Sequence, residues 1–215
     1  YSDFLIRGSE IWCVREITEG ASTNRDLIAI NRAKQIRILD SASHFYAHLA
    51  LSPDEQQLAW ISWEHPQMPW DGTQLRLADI DPQGNLVNTT ILSGNESEAV
   101  NSPVWSNSGK LYFVSDASGF WNVWESDTKG SKRQLVSESA EWAHPMWIVG
   151  THLLRILDSG ELVGIHGNPA QEKIAVIDPS TGTWRDLECN LTNFAHLSVY
   201  QDRIFAIGGG PKVLS

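Results

Sequence analysis

The sequence predicts an all-β fold, and three observations support this prediction. Helical periodicity is almost absent from the 215 residues. Apolar and polar residues instead alternate over short segments, which is the pattern of half-buried strands. Clusters rich in Gly, Pro, Asn, Asp and Ser separate these segments, as turns between antiparallel strands do. The alternating segments are residues 10–17, 26–30, 35–39, 57–63, 75–80, 110–115, 121–125, 152–157, 162–166, 173–177 and 203–207.

The clearest strand–turn–strand unit lies in residues 45–75. A short apolar run over residues 48–51 is followed by Ser52-Pro53-Asp54-Glu55, a tight turn in which Pro occupies the position whose φ it presets. The alternating segment 57–63 comes next. Two strands joined by so short a turn must be antiparallel neighbours.

Weaker copies of the run that opens this unit recur along the chain. The copies begin at His48, Ser102, His144 and His196, which are spaced 54, 42 and 52 residues apart. Propeller blades of four strands repeat every 40–50 residues or so. A two-layer sandwich would also contain many short strands, but it would not repeat its starting run at this spacing. The sequence therefore predicts a partial β-propeller of four-stranded antiparallel blades.

The predicted blades divide the chain into one propeller domain, residues 1–215. Their approximate bounds are 1–43, 44–96, 97–140 and 141–191, with an incomplete blade at 192–215. A closed propeller needs at least about four blades and more often has six to eight, so we expect an open arc of about four blades. The chain also lacks an initial Met and ends just after a Gly-rich turn, so we expect it to be a piece of a longer protein. Because an open arc exposes the apolar faces of its terminal blades, a homodimer is expected.

Composition excludes several partners. Acidic residues outnumber basic ones 26 to 16, the formal charge is −10, and the basic residues form no cluster, so nucleic acid is not an expected partner. No apolar run approaches the roughly 18 residues of a membrane helix, and no secretion signal opens the chain, so neither membrane binding nor export is expected and a cytoplasmic location is. Cys13 and Cys189 lie far apart in apolar surroundings and are predicted to be buried, reduced thiols.

The four repeated positions are the first candidate functional residues. The innermost strand of a blade lines the central channel, so His48, Ser102, His144 and His196 are predicted to line it. Three imidazoles at equivalent positions could face one another as metal ligands do. The alternative is that the repeat reuses a polar residue where a strand meets solvent, and we favour it because blades separate these positions by more than the roughly 2 Å length of a metal–nitrogen bond permits. No metal and no other cofactor is predicted.

Two aromatic stretches are further candidates. The pair Glu64–His65 could orient a general base, but the surrounding segment also fits a surface loop stiffened by its prolines, with Trp63 and Trp70 packed over the blade edge. Phe120, Trp121 and Trp124 could form a ligand platform, or they could pack between blades, as large aromatic side chains usually do. The packing interpretation is preferred for both stretches.

Two segments resemble a known family. These are SPDEQQLAWISWEHPQMPWDGTQL and SPVWSNSGKLYFVSDASGFWNVWE, and they are similar to the N-terminal propeller of prolyl oligopeptidase-family serine peptidases, in particular the dipeptidyl aminopeptidase/acylaminoacyl peptidase branch. The resemblance runs from about Trp12 to Pro211. Its most specific part is a loop made of Trp63, Glu64, His65, Pro66, Gln67, Met68, Pro69, Trp70 and Asp71.

The resemblance has two departures and one main implication. Glu55 stands where such relatives usually have Gly, and the next turn reads Ser106-Asn107-Ser108-Gly109, but Asp, Asn and Ser also support such turns. The resemblance implies further blades before Tyr1 and an α/β-hydrolase domain after Ser215 that carries the nucleophilic Ser, the Asp and the His. The present chain contains no G-x-S-x-G nucleophile elbow, so it is expected to be inactive by itself.

Two functional hypotheses follow. In the first, the chain is the non-catalytic propeller of a serine exopeptidase, and it gates the access of short peptides to the hydrolase domain. In the second, it is a stand-alone propeller that binds a protein or a peptide on its faces. The resemblance in the Trp-rich loop favours the first.

Overall fold

A computed structural model describes residues 1–211 and contains only strands, turns and irregular segments in that range. The all-β prediction is therefore confirmed. None of the described residues forms a helix that could cross a membrane.

The first two sheets each contain four consecutive antiparallel strands, paired in chain order. The first sheet consists of β1 (Ser2–Arg7), β2 (Glu10–Glu19), β3 (Ser22–Ile30) and β4 (Ile36–Asp40). The second sheet consists of β5 (Phe45–Leu51), β6 (Gln57–Trp63), β7 (Gln74–Ile80) and β8 (Leu86–Ser93).

Two further four-stranded sheets and a hairpin complete the described chain. The third sheet consists of β9 (Val100–Trp105), β10 (Leu111–Ser115), β11 (Asn122–Ser126) and β12 (Lys132–Gln134). The fourth consists of β13 (Leu154–Ile156), β14 (Leu162–Asn168), β15 (Gln171–Ile177) and β16 (Trp184–Asp186). The hairpin pairs β17 (Asn193–Tyr200) with β18 (Arg203–Gly209). Four four-stranded antiparallel meanders are the blades that the repeat predicts; residues 212–215 of the last predicted segment lie outside the described part of the chain.

The chain forms two compact units. The first comprises Tyr1–Pro103 and Trp147–Gly150, and the second comprises Val104–Met146 and the described residues from Thr151 onward. In the first unit, one apolar cluster joins the first two sheets: Trp12, Val14, Leu27 and Ala29 pack with Tyr46, Leu58, Trp60, Ala78 and Ile80. Along β2, β3 and β6 the cluster residues occupy every second position and so share one face of the sheet, while the residues between them, Cys13, Ile28 and Ala59, are also buried.

The turn after β5 shows how the sequence forms a tight hairpin without glycine. The Ser52 amide donates to the Gln57 carbonyl at 2.9 Å, and the Ser52 hydroxyl donates to Asp54 at 2.6 Å. Glu55 takes the left-handed conformation, φ 56°, that Gly109 takes in the turn after β9, φ 79°. Side-chain hydrogen bonds therefore hold the turn where the family pattern usually has Gly, as expected.

Two expectations about individual segments are wrong. His144 does not open an innermost strand, because the innermost strand of the fourth sheet begins only at Leu154. Cys189 lies outside the strands and is exposed, while Cys13 is buried as predicted; both are free thiols.

Candidate functional site

The Trp-rich loop connects β6 to β7 and is held by its own backbone. The Gln67 amide donates to the Glu64 carbonyl at 3.0 Å, and the Asp71 amide donates to the Met68 carbonyl at 2.9 Å. The Asp71 carboxylate accepts from the Met68 amide at 3.0 Å, and the His65–Pro66 peptide bond is cis. The loop is thus a pair of consecutive tight turns.

The first half of the loop packs on the start of β5. Trp63, only 9% exposed, stacks on Phe45 with ring centroids 5.0 Å apart and an interplanar angle of 7°. The His65 ring meets the Phe45 ring edge-on at 4.8 Å, and the Arg25 guanidinium lies 4.5 Å above that ring. Glu64 pairs with the exposed His44 rather than with His65. The structure therefore places His65 in an aromatic cluster and gives it no carboxylate orienting partner among the described contacts.

The second half of the loop carries apolar side chains to the surface. Pro69 is buried, Trp70 is half-buried, and the Trp70 ring contacts the Trp147 ring at a centroid distance of 4.2 Å. Large apolar side chains in this part of the first unit are strongly exposed: Met68 (46%), Trp147 (74%), Ile148 (66%) and Val149 (51%). We call these four residues with Trp70 the apolar loop group. Aromatic side chains exposed to this degree are typical of surfaces that contact another molecule.

The end of the loop is fixed to the connection between the second and third sheets. The Thr73 hydroxyl donates to the Val100 carbonyl and accepts from the Val100 amide, both at 2.7 Å. The Thr73 amide donates to the Glu98 carbonyl at 3.1 Å. Because Thr73 is buried, these bonds are shielded from water, and they anchor the base of the loop.

Two of the predicted channel-lining residues are linked in a repeated backbone arrangement. Asp3, His48 and Ser102 lie in the innermost strands of the first three sheets, and all have positive φ, 50°, 55° and 50°. The Asp3 carboxylate accepts from the His48 amide at 2.9 Å, and His48 Nδ1 accepts from the Ser102 amide at 3.0 Å. Nδ1 can accept only if it carries no proton, so the proton of the buried His48 ring is on Nε2 and the ring is neutral.

This arrangement explains both the recurrence of polar residues and why sequence reasoning missed Asp3. Asp3 and His48 each accept from a backbone amide of the next innermost strand, and the pairing of the strand that carries His48 is irregular between Ala47 and Ala50. A polar acceptor is therefore needed at this position, whichever residue supplies it. Asp3 carried no detectable signal because β1 lacks the apolar run by which the repeat was found.

The other two predicted positions have different surroundings. His144 precedes β13 and its Nε2 lies 2.8 Å from the Glu172 carboxylate, while Glu172 also accepts from the Phe194 amide at 2.7 Å. His196 lies on β17 and is exposed. The assignment of all four positions to a channel lining stays a prediction.

The second aromatic stretch divides between core and surface. Trp121 is buried, as the packing interpretation predicts, whereas Phe120 is 39% exposed and Trp124 is half-buried under the Lys132 ammonium at 5.6 Å. In the same sheet, burial, together with Glu125, raises the pKa of Tyr112 to about 12, so this hydroxyl stays protonated and cannot serve as a base near neutral pH.

The fold and the loop define the chain as part of a β-propeller, and comparison with solved structures identifies which kind. A puromycin-hydrolyzing peptidase from Mycobacterium tuberculosis is similar over 98% of this chain, with 33% identity and a TM-score of 0.90. A puromycin hydrolase is similar over the same share, with 30% identity and a TM-score of 0.91. Prolyl oligopeptidase B from Galerina marginata shares the fold, with a TM-score of 0.68 over 92% of this chain and 13% identity.

These similarities cover only part of each relative. The chain spans 35% of the mycobacterial peptidase, 34% of the puromycin hydrolase and 28% of the prolyl oligopeptidase. Comparison with protein-family models gave no match, and comparison with curated protein sequences gave none either. The chain thus shares the propeller fold of prolyl oligopeptidase-family peptidases, in agreement with the resemblance of the Trp-rich loop, and its sequence is similar to part of the puromycin-hydrolysing peptidases.

Proposed function

We propose that this chain is the non-catalytic propeller segment of a serine exopeptidase and that it gates the access of short peptides to a hydrolase domain on the same polypeptide. One observation carries the proposal: 98% of the chain aligns at 33% identity with a peptidase of which it spans only about a third. The absence of a G-x-S-x-G elbow from the sequence agrees with a division of labour in which catalysis belongs to another segment.

The location of the Trp-rich loop supports the proposal that the propeller gates peptide access. The loop joins the second and third strands of its blade, its base is fixed through Thr73, and its apolar loop group is exposed. A rigid base with an exposed apolar tip suits a surface that meets either a peptide or the neighbouring domain. The proposed partners are accordingly the hydrolase domain and short, unfolded peptides.

The test compares three purified proteins: residues 1–215, the full-length polypeptide, and the full-length polypeptide without its propeller. We expect the first to hydrolyse neither aminoacyl nor acyl-aminoacyl anilides, because it lacks a nucleophile, a base and oxyanion donors. We expect the second to cleave short peptides and to leave the same sequence intact inside a folded protein. The third should lose this discrimination. Serine-reagent-sensitive turnover by the first protein, or unchanged discrimination by the third, would contradict the proposal.

The exposed apolar loop group also favours a second candidate, a stand-alone interaction propeller that binds a protein or peptide. The coding sequence downstream of Ser215 separates the two functions. The peptidase function requires a G-x-S-x-G elbow followed by an Asp and then a His, whereas an interaction module requires none of these.

We assign the parent protein to the dipeptidyl aminopeptidase/acylaminoacyl peptidase type and to the cytoplasm, from the resemblance of its Trp-rich loop and the sparse cysteines. Release of acyl-aminoacyl groups would distinguish the acylaminoacyl type from a dipeptidyl aminopeptidase.

We also propose that the isolated chain forms a homodimer through the β17–β18 hairpin. Within the described residues β18 pairs only with β17, and the hairpin exposes Tyr200 (65%), Phe205 (53%) and Ile207 (56%). Light scattering should therefore give twice the chain mass of 24.0 kDa, and added salt should strengthen the dimer by screening the −10 charge. Phe205→Lys should yield monomers, whereas Val87→Lys on β8 should not. A wild-type mass of one chain would refute the dimer.

A further inference from the structure

The second unit contains a buried histidine between two carboxylates. His166, on β14, has a side chain only 6% exposed. Its Nδ1 lies 3.0 Å from Glu138 Oε2, and its Nε2 lies 2.9 Å from Asp186 Oδ1. The Trp142 ring stacks on the imidazole at a centroid distance of 4.4 Å and an angle of 15°. Both nitrogens of the ring thus face an acceptor.

The numbers of hydrogen-bond donors and acceptors determine which charge state of the imidazole fits this site. A neutral imidazole has one donor and one acceptor, and an ionised carboxylate can only accept. With both carboxylates ionised, only the imidazolium makes both contacts. Loss of one proton leaves a ring nitrogen lone pair facing a carboxylate oxygen, and one of the two bonds is replaced by repulsion.

Charged groups from several segments surround the imidazole. Glu138 and Glu141 come from the segment before β13, Asp186 comes from β16, and Lys173 on β15 is the one cation among the described groups that line or bridge this site. Burial raises the pKa of Asp186, but hydrogen bonds from Lys173 and His166 outweigh it and hold that pKa below its usual range. Asp186 is therefore held ionised and can only accept a hydrogen bond from His166 Nε2.

Glu138 connects the histidine to the segment that links the third and fourth sheets. We call residues 136–142 the connecting segment. The Glu138 amide and carbonyl each bond to the Asn122 side chain at 3.0 Å, and its carboxylate accepts from the Trp142 indole at 2.8 Å. Glu141 and Gly167 exchange backbone hydrogen bonds of 3.0 and 2.9 Å. The connecting segment is thus held to β11 on one side and to β14 on the other.

A cavity of about 390 Å³ lies beside this contact. Its walls include Phe120, Glu138, Glu141, His166 and Lys173. Any movement of Glu138 away from His166 therefore changes the shape and the charge of the cavity.

We propose that His166 is a pH-operated latch that holds the connecting segment against the fourth sheet. The protonated ring bonds to Glu138 and Asp186 together. When a rise in pH removes one ring proton, one of these two bonds is lost, the connecting segment loosens, and the cavity opens. The stabilisation is present at low pH and is lost on the alkaline side.

The first test uses the wild-type chain with ¹⁵N-labelled histidine. NMR should show both nitrogens of one buried imidazole protonated at about pH 5.5, and a change to one protonated nitrogen by about pH 9, a range that brackets histidine titration. A ring that is neutral throughout this range would overturn the latch. The signal is assigned by its disappearance in His166→Gln, and His44→Gln, which removes an exposed partner of Glu64, must leave it in place.

The second test measures the opening directly by amide hydrogen exchange. After correction for the intrinsic pH dependence of exchange, we expect protection of residues 136–142 to fall about tenfold or more between these pH values, because a buried charge-assisted hydrogen bond is lost. His44→Gln should keep this pH dependence, and His166→Gln should abolish it. If His166→Gln does not fold, the wild-type protein still tests the proposal. Protection of the connecting segment that does not change between the two pH values would refute it.

Discussion

Replacing Trp60 with alanine is expected to lower the free energy of unfolding by about 3–5 kcal/mol. Trp60 is fully buried in the cluster that joins the first two sheets. Its indole N–H has no hydrogen-bond partner among the described residues, so the substitution removes packing and leaves no polar partner stranded. The expected loss therefore comes from the lost apolar burial together with the cavity that remains.

Urea denaturation monitored by circular dichroism measures this effect. Trp147→Ala is the matched control, because Trp147 belongs to the same unit and is 74% exposed. Its loss should stay below about 1 kcal/mol, as for other exposed positions. Equal shifts of the two midpoints would show that the cluster between the sheets does not carry the stability of this unit.

Short apolar runs bounded by turn clusters made much of the fold predictable. The segments around β2, β3, β6, β10 and β14 each contain such a run, so their strand character can be seen in the sequence alone. Strands at the outer edge of a blade were missed. β12 and β16 have only three residues each, mostly polar, and they are held by pairing with one neighbour. Such strands are specified by the sheet they join and carry little local signal.

The fourth blade shows where a repeat misleads. The run at His144 resembles the opening of an innermost strand, yet the preceding residues are held by side-chain contacts such as Glu138 with Asn122. Apart from an isolated bridge between Glu141 and Gly167, strand pairing in this sheet starts at Leu154. The contact between Glu138 and Asn122 joins residues 16 positions apart and depends on the folded geometry. It therefore produces no periodic pattern in the sequence from which it could be predicted.

The hydrogen-bond partners of the candidate residues could not be predicted from the sequence. The repeat placed His48 and Ser102 at equivalent positions, and both lie in innermost strands. The hydrogen bond from the Ser102 amide to the His48 ring depends on the left-handed conformations of these two residues, which neither composition nor spacing reveals. His166 was missed for the same reason, because Glu138 and Asp186 approach it from separate segments.

Gly94→Ala is expected to destabilise the first unit by more than about 3 kcal/mol, since overpacking and backbone strain each cost about 1–3 kcal/mol. Gly94 has φ +85°, and a Cβ there would lie 2.0 Å from the Thr73 carbonyl oxygen and 2.7 Å from Val100 Cγ2. Thr73 cannot move away freely, because its hydroxyl and amide are bonded to Val100 and Glu98. The same substitution should therefore loosen the base of the Trp-rich loop.

Gly20→Ala separates the clash from the strain. Gly20 lies in the same unit with φ +62°, and no atom lies within 4 Å of its would-be Cβ. Alanine there should cost only about 1–2 kcal/mol, the usual penalty of a left-handed residue with a side chain. Urea midpoints give both losses, and hydrogen exchange at residues 63–73 should rise in Gly94→Ala alone. Equal losses of unfolding free energy in the two variants would mean that the backbone after β8 can shift to accommodate a methyl group. Thr73 would then not fix the base of the loop.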